Sequence, residues 1–249
     1  MLTHTALTIP FRPAGPASAG CGRAAATSDA EVLLARAGGN RRRVRRGEYL
    51  YRLGAPFHAL YGIRAGSFKS VLLTEDGREQ VTGFHMGGEV LGFDGIGSET
   101  CPGDAIALED SEVMEIPFEE LDALVCRDPS LQRELFRMLA GEIQRERSLM
   151  LLLGSMRAEE RLAAFLINLS QRFAARGFSA QRFLLRMTRE EIGSLLGLKL
   201  ETVSRILSRF QAEGLIGVHN REVQIVSMSA LRAVIGRGDA RREREREAA

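Results

Sequence analysis

Short apolar runs separated by turns fill the stretch from Arg45 to Phe118. Examples are EYLYRLG, ALYGIRAG, SFKSVLLTEDG, EQVTGFHMGG and EVMEIPF. Their alternation of apolar and polar positions is typical of half-buried strands, and Asp76-Gly77 between two such runs predicts a hairpin. Many short strands joined by regular turns indicate a small barrel or sandwich in this part of the chain.

The pattern changes at Pro129 to the period of a long helix. In SLQRELFRMLAGEIQRERSLMLLLGS the apolar residues recur in alternating steps of three and four, the spacing of a coiled-coil seam. We therefore predict a dimerisation helix over residues 129–155, with a helix packed on its own domain as the alternative. The predicted dimer seam comprises Phe136, Leu139, Ile143, Glu146, Met150 and Leu153.

Two short helices separated by a glycine are predicted between Thr188 and Gln211. Thr188 and Glu191 have the spacing of a capping box, in which each side chain accepts from the backbone N–H of the other residue. Gly197 suits the left-handed residue that ends the first helix, and Gly193 is small where two helices must approach closely. The apolar face of the second helix consists of Val203, Ile206, Leu207 and Phe210. Together these features predict a helix-turn-helix.

The segments on either side extend this prediction. Upstream, AEERLAAFLINLSQRFAARG has the period of an amphipathic helix, with Gly177 as its stop. Downstream, LIGVHNREVQIV predicts two short strands joined by residues 219–222, the wing of a winged helix. The residues left facing outward at the start of the second helix are Lys199, Glu201, Thr202, Ser204 and Arg205.

At this point a family resemblance is clear. GLKLETVSRILSRFQAEGLIGV, preceded by RMTREEIGSLL, resembles the DNA-binding domain of the fumarate and nitrate reduction regulator family, a branch of the cyclic-AMP receptor superfamily. The similarity continues upstream through AEERLAAFLINLSQRFAARGFS, LLTEDGREQVTGFHMGGEVLGFDGIGS and EIPFEELD, and covers roughly residues 45–236. The fold that the resemblance implies is α+β, with an N-terminal cyclic-nucleotide-binding-like β-roll, a long dimerisation helix and a C-terminal winged helix-turn-helix.

We divide the chain on this basis and on its composition. The divisions are a disordered N-terminal segment (1–28), the roll (29–128), the dimerisation helix (129–155), the DNA-binding domain (156–236) and a charged tail (237–249). The expected function is sequence-specific transcription regulation, as an activator, by a homodimer similar to anaerobic or redox regulators. The expected partners are double-stranded DNA, a second copy of the chain and RNA polymerase.

By the same resemblance, the family's E-x-x-S-R base-reading residues fall on Glu201, Ser204 and Arg205. Arginine can donate to guanine O6 and N7, and glutamate can accept from cytosine N4. The implied site is an inverted repeat of TTGAT-like half-sites. In the free protein, an i,i+4 ion pair between Glu201 and Arg205 would hold the arginine extended. The candidates for phosphate contacts are Thr188, Arg189, Lys199, Ser208 and Arg209.

The charged member of the seam is Glu146. A symmetric parallel dimer would bring two such carboxylates together, which costs free energy unless protonation or a partner relieves it. By resemblance, an acidic residue at this place tunes the monomer–dimer equilibrium. The alternative is that Glu146 points outward or pairs with Arg145 or Arg147.

The best-known members of the family sense oxygen with a [4Fe-4S] cluster held by N-terminal cysteines and one cysteine of the roll. This chain has Cys21, Cys101 and Cys126, and Met114 stands where the roll cysteine is expected. Such a cluster needs four ligands, so we predict neither this cofactor nor another metal site. We expect Cys126 to be a small buried residue beside the dimerisation helix. A thiol redox role for Cys101 or Cys126 is an alternative.

The roll also resembles a cyclic-nucleotide site in part, since GEVLG at residues 88–92 looks like the start of a phosphate-binding cassette. Relatives that bind cAMP place an arginine further on, whereas TCPGDAI here has Asp104 and no arginine, which disfavours a phosphate. We therefore expect no cAMP and interpret Glu89 as turn structure. The alternative is a regulator that responds to a cyclic nucleotide or to haem, for which the roll histidines are His58 and His85.

Composition and charge further limit the classes of function that this chain could have. The net charge is only +2 over 249 residues, so affinity for DNA has to come from local clustering. Three scattered cysteines, no long apolar run and no leader pattern predict a cytoplasmic protein without a membrane segment. Residues 41–46, RRRVRR, fit either a nucleic-acid patch or a solvated lead-in to the first strand. A small-barrel metal enzyme would need clustered histidines and carboxylates, so we do not expect an enzyme.

Overall fold

The computed structural model describes residues 29–236. The disorder predicted for residues 1–28 and the charged tail over residues 237–249 therefore lie outside the described part of the chain, as does Cys21. Within it, no helix combines the length and the apolar character that crossing a membrane requires.

The first half of the described chain is a β-roll. Helix α1 (Asp29–Ala37) precedes the roll and helix α2 (Phe118–Val125) follows it. The strands are β1 (Asn40–Val44), β2 (Tyr49–Tyr51), β3 (Ala59–Ala65), β4 (Ser67–Leu73), β5 (Glu79–Met86), β6 (Val90–Leu91), β7 (Asp104–Ala107) and β8 (Ser111–Pro117). They form two antiparallel sheets, β1-β8-β3-β6 and β2-β7-β4-β5, whose side chains share one apolar core.

The hairpin predicted at Asp76-Gly77 is confirmed. Strands β4 and β5 pair along their length, and Gly77 has a φ of 79°, a backbone conformation that glycine adopts without strain. The loop is closed where the N–H of Thr74 donates to the carbonyl of Arg78 at 2.9 Å. Both strands of this hairpin also contact the C-terminal half of the described chain.

Helix α3 (Pro129–Ser155) connects the two halves, and the helix predicted for this segment is confirmed. Its start is well defined, because the carboxylate of Asp128 accepts from the N–H groups of Ser130 at 2.8 Å and Leu131 at 3.3 Å, and proline occupies the first turn. One face of α3 is buried against the roll and the second half of the chain, through Leu131, Leu135, Met138 and Leu152.

The second half is a winged helix-turn-helix. Its elements are α4 (Ala158–Ala175), β9 (Arg182–Leu184), α5 (Arg189–Leu196), α6 (Leu200–Ala212), β10 (Ile216–His219) and β11 (Glu222–Ile225). Strands β10 and β11 form the predicted wing, with His219 and Glu222 paired and residues 220–221 as the turn. Strand β9, which the sequence pattern did not predict, adds a third strand beside β11. Residues 228–236 are helical.

This second half packs directly on the sheet β2-β7-β4-β5 of the roll. The ring of Phe84 on β5 lies edge-on to the ring of Phe165 on α4, with centroids 6.0 Å apart. Apolar residues of β4, β5 and β7 share one core cluster with residues of α4, α5 and α6. The helix-turn-helix is therefore held against the roll of its own chain.

Candidate nucleic-acid interface

The first helix of the helix-turn-helix starts at the predicted capping box. Thr188 Oγ1 accepts from the N–H of Glu191 at 3.1 Å, and Glu191 Oε2 accepts from the N–H of Thr188 at 2.7 Å. Burial alone would raise the pKa of Glu191, but hydrogen bonds from Lys69 and from the Thr188 backbone outweigh it and lower that pKa. Glu191 therefore stays charged while it caps α5.

The turn between α5 and α6 depends on two glycines, as predicted. Gly197 caps α5 with a φ of 63°, in the left-handed region. At Gly193, a Cβ atom would lie 2.5 Å from the carbonyl oxygen of Leu198, which is closer than any side chain tolerates. Gly193 thus permits the close approach that sets the angle between the two helices.

Helix α6 presents a polar face outward. Val203, Ile206, Leu207 and Phe210 form its buried side, as the pattern predicted. Glu201 and Arg205 are exposed, and neither forms a hydrogen bond or ion pair with a side chain of residues 29–236. The expected ion pair between them is therefore wrong: both charged groups point to solvent rather than to each other.

Ser204 is placed differently from its neighbours. It is half-buried, and its Oγ accepts a hydrogen bond from Arg189 Nη1 at 3.2 Å. The hydroxyl retains its own proton for donation to a further acceptor. The three predicted base-reading residues therefore share one face of α6, and Ser204 is held by a hydrogen bond from Arg189 of α5.

The candidates for phosphate contacts fall into two groups. Thr188, Arg189 and Lys199 are exposed at the starts of α5 and α6, near the outward face. Ser208 lies one turn further along α6, where its Oγ donates to the carbonyl of Ser204 at 3.1 Å. Arg209 is held in two ion pairs, at 2.5 Å to Glu159 and 2.7 Å to Glu213, so a phosphate would have to compete with two carboxylates for it.

The sequence patterns did not single out the wing turn as part of this surface. A cleft of about 200 Å³ lies between the start of α5 and the wing, and its lining includes Thr188, Arg189, Asn220 and Arg221. Asn220 has a φ of 55°, which turns the chain between the strands. The cleft adds the exposed Arg221 to the basic groups at the edge of the outward face.

The predicted dimer seam on α3 is largely exposed in the single chain. Phe136, Ile143 and Met150 are 59%, 51% and 71% exposed, and we call these three residues the α3 stripe. Leu139 and Leu153 are half-buried and also pack against cores of their own chain. One face of the helix therefore packs on its own chain, the other face is open, and the dimer through that open face stays a prediction.

Glu146 lies between two residues of the α3 stripe, Ile143 and Met150, and is exposed. Partial burial, together with the charges of Glu142 and Asp94, raises its pKa. Arg145 pairs with Glu142 instead. The carboxylate of Glu146 thus points along the open face of α3.

The two described cysteines, Cys101 and Cys126, have different surroundings. Cys101 is buried in the apolar core of the roll, and burial raises the pKa of its thiol. Cys126 is exposed, so the prediction that it is buried is wrong; it follows the last turn of α2, beyond the buried side of that helix at Leu121 and Val125. Among residues 29–236, no group of three or more histidine, cysteine or carboxylate side chains could hold a metal ion.

The region that resembles a cyclic-nucleotide cassette is occupied by the chain itself. Glu89 bonds its own turn, because its Oε2 accepts from the N–H of Met86 at 3.1 Å. It also forms ion pairs with Arg172 of α4 and with Arg176, the residue that directly follows α4. Asp104 Oδ1 accepts from the N–H of Leu53 at 2.7 Å. The two arginines in this region are engaged by the carboxylate of Glu89 and by the carbonyls of Phe84 and Gly87.

The two roll histidines have separate surroundings. His85 is buried, which lowers its pKa, and its Nε2 lies 3.1 Å from Ser70 Oγ. His58 is exposed, with Nε2 3.1 Å from the carboxylate of Glu115. Each ring thus has a partner within the chain.

Comparison with known proteins agrees with this architecture. The model of a Crp-like helix-turn-helix domain matches residues 160–234, and that of a cyclic nucleotide-binding domain matches residues 41–128. The crystal structure of FixK2 from Bradyrhizobium japonicum aligns with a TM-score of 0.72 at 32% identity, over 78% of this chain and 96% of that one.

Curated relatives give the same assignment. The transcriptional regulatory protein btr of Bordetella pertussis is 50% identical over 78% of this chain and 80% of its own length. The transcriptional activator protein anr of Pseudomonas aeruginosa is 48% identical over the same shares. The fumarate and nitrate reduction regulatory protein of Salmonella typhimurium is 48% identical over 78% of this chain and 77% of its own. The chain belongs to the CRP/FNR family, whose members are DNA-binding transcription regulators and not enzymes.

Proposed function

We propose that this chain is a homodimeric activator of transcription that reads an inverted repeat of TTGAT-like half-sites. The observation that carries the proposal is the outward face of α6, where Glu201 and Arg205 are exposed with no polar partner among residues 29–236. Because neither side chain is engaged within residues 29–236, a base edge would replace contacts with water, and no ion pair within the described chain has to be broken first.

The chemistry of this face fits the proposed half-site. Arg205 can donate to O6 and N7 of a guanine, and Glu201 can accept from N4 of a cytosine. Ser204, held by Arg189, can donate its remaining hydroxyl proton to a base or a phosphate. Lys199 and Arg189 at the helix starts would bind phosphates and orient α6 in the major groove.

The dimer follows from the α3 stripe. Phe136, Ile143 and Met150 would each gain from burial, at about 25 cal/mol per Å² of apolar surface removed from water. A two-fold dimer through α3 would direct its two α6 helices toward successive major grooves, as an inverted repeat requires. The length of the stripe along α3 supports this arrangement.

We further propose that regulation uses neither a [4Fe-4S] cluster nor cAMP. The burial of Cys101, the exposure of Cys126 and the arginine partners of Glu89 support this. Given its relatives, the protein would act in the cytoplasm on promoters of anaerobic or redox response, with RNA polymerase as its partner.

The central test is fluorescence anisotropy with purified protein and a duplex that contains TTGAT-N4-ATCAA. We expect specific binding by a dimer, which falls as salt is raised because phosphate contacts release counterions. The control duplex has the same composition with scrambled half-sites. Equal affinity for both duplexes at low salt would contradict the proposal.

The cofactor proposal has its own measurements. Protein purified without oxygen should be colourless and free of iron, and calorimetry with cAMP should show no heat of binding. A visible absorption band with bound iron, or saturable cAMP binding, would overturn this part while leaving the proposal on DNA intact.

A further inference from the structure

A buried ion-pair triad joins the roll to the first helix of the DNA-binding half. Glu89 lies in the turn after β5, whereas Arg172 lies in the last turn of α4 and Arg176 directly follows that helix. Arg172 Nη2 donates to Glu89 Oε1 at 2.9 Å and to Oε2 at 2.7 Å, and Arg176 Nη2 donates to Oε1 at 2.5 Å. We call these residues the Glu89 triad.

The two arginines also bind the backbone of the same turn. Arg172 Nη2 donates to the carbonyl of Phe84 at 2.7 Å, and Arg176 Nε donates to the carbonyl of Gly87 at 2.6 Å. The guanidinium groups thus bind four acceptor oxygens on three residues of one short segment. A fork-shaped cation with several fixed donors suits such a contact better than a lysine would.

The triad is shielded from solvent. The side chains of Glu89, Arg172 and Arg176 are 10%, 11% and 20% exposed. A buried charge is tolerated when it is paired and hydrogen-bonded, and removing one partner leaves the others desolvated and uncompensated. The triad therefore favours one arrangement of α4 on the roll over arrangements that separate these charges.

Further polar contacts hold the same half of the chain. Lys69 Nζ on β4 lies 2.9 Å from Glu191 Oε1, and the N–H of Val81 on β5 donates to Ser194 Oγ on α5 at 2.9 Å. Arg161 of α4 donates to the carbonyls of Leu153 on α3 and Leu196 on α5, at 2.7 and 3.0 Å. Helix α4 is thus tied to the roll, to the end of α3 and to the helix-turn-helix.

We infer that Glu89 is a positioning residue for DNA recognition, which through Arg172 and Arg176 fixes α4 on the roll and so selects the spacing between half-sites. This rests on the proposed function, since spacing has meaning only for a dimer on an inverted repeat. Helix α3 sets the two-fold axis and α4 leads to α6, so the angle of α4 determines how far each α6 lies from that axis. The turn that resembles a ligand cassette thereby holds the protein's own α4.

The test compares Glu89→Gln with Glu112→Gln in the full chain. Glu112 is a matched control, because it is a roll glutamate whose arginine partner, Arg64 at 3.6 Å, also belongs to the roll. Each protein is titrated with duplexes that carry three, four or five base pairs between the TTGAT-like half-sites. Hydrogen exchange is followed in residues 84–89 and 172–178 without DNA.

For wild type and Glu112→Gln we expect the four-base-pair spacer to be preferred by about tenfold, since an intact triad would hold α4 in one arrangement before DNA binds. Glu89→Gln should bind this spacer more weakly, lose most of the preference and exchange faster in both segments. The penalty for a base change within a half-site should not change, because the α6 face is intact. A merely structural role would instead weaken all duplexes equally.

The outcomes separate the two proposals. If wild type binds no inverted repeat but Glu89→Gln accelerates hydrogen exchange in both segments, the proposed function fails. In that case the role of Glu89 in fixing α4 on the roll is still supported. If spacing preference and exchange are both unchanged in Glu89→Gln, the inference is overturned. Should Glu89→Gln fail to fold, Arg176→Lys serves instead, since it keeps the charge and loses the fork that binds Gly87 and Glu89.

Discussion

Arg189 Nη1 donates a hydrogen bond to Ser204 Oγ at 3.2 Å, which joins the first residue of α5 to the outward face of α6. One arginine is thereby placed beside a predicted base-reading residue, and within residues 29–236 its other donors remain open to a phosphate. The contact ties a residue predicted to bind phosphate to a residue predicted to read bases.

Arg189→Ala should weaken binding to specific and scrambled duplexes alike. A phosphate contact carries no sequence information, so its loss should lower the slope of log affinity against log salt by about 1. Anisotropy titrations at several salt concentrations measure this slope. The control is Arg78→Ala, an exposed arginine in the roll hairpin. A loss confined to one base pair would assign Arg189 to base reading instead.

Arg205→Ala should change the sequence specificity of binding, whereas Arg189→Ala should weaken binding to all duplexes alike. We expect it to cost about 1–3 kcal/mol on the intact half-site and to relax discrimination at one base pair. Because Arg205 has no hydrogen-bond or ion-pair partner within residues 29–236, the free energy of unfolding should stay within about 0.5 kcal/mol of wild type. Titration against single base-pair variants of the half-site identifies the base pair. Uniform weakening across all variants would contradict a base-reading role.

Glu146→Ala should tighten the dimer. Partial burial and the charges of Glu142 and Asp94 already raise the pKa of this carboxyl, and a second copy across α3 would raise it further. A raised carboxyl pKa means that the dimer prefers the protonated form, so the wild-type dimer should tighten as pH falls through that pKa and weaken above it. Glu146→Ala should lack this dependence.

Sedimentation at several concentrations and pH values measures the dissociation constant. The control is Gln144→Ala, an exposed position of α3 outside the predicted seam. An unchanged constant in Glu146→Ala would remove Glu146 from control of the dimer.

The features that the sequence predicted correctly are local ones. The capping box of Thr188 and Glu191, the left-handed Gly197 and the hairpin at Gly77 each depend on residues within one turn, so a short motif identifies them. The apolar face of α6 could also be predicted, because its apolar residues repeat with the period of an α-helix.

The Glu89 triad was not predicted, because Glu89 lies 83 and 87 positions before its arginines. Two arginines four residues apart at the end of α4 were the available signal, but a sequence alone does not say which carboxylate they meet. Cys126 was predicted to be buried from its residue type, whereas its place at the end of α2 determined its exposure. Strand β9 has only three residues, too few to show the alternation of apolar and polar positions that predicts a strand.

Acid should loosen the triad in a defined direction. Burial tends to raise the pKa of Glu89, but the charges of Arg172 and Arg176 dominate and lower it from 4.5 to about 2. A lowered carboxyl pKa contributes stability above pH 4.5, and that contribution is lost as pH falls toward 2. The free energy of unfolding of Glu89→Gln should therefore fall less steeply over this window than that of wild type. Urea melts across the range, with Glu112→Gln as control, test this; parallel curves would contradict it.

Gly193→Ala should destabilise the helix-turn-helix. The new Cβ would lie 2.5 Å from the carbonyl oxygen of Leu198, a backbone atom that cannot rotate away, so α5 and the turn must shift. Such overpacking costs about 1–3 kcal/mol. In Gly217→Ala the nearest atom would be the Cβ of Gln224 at 3.8 Å, an ordinary contact, so this control should unfold like wild type. Because the angle between α5 and α6 changes, Gly193→Ala should also lose affinity for the intact site under conditions where it is fully folded, as shown by urea melts and anisotropy on the same samples. Equal stability and affinity for the two variants would show that the helices have room to separate.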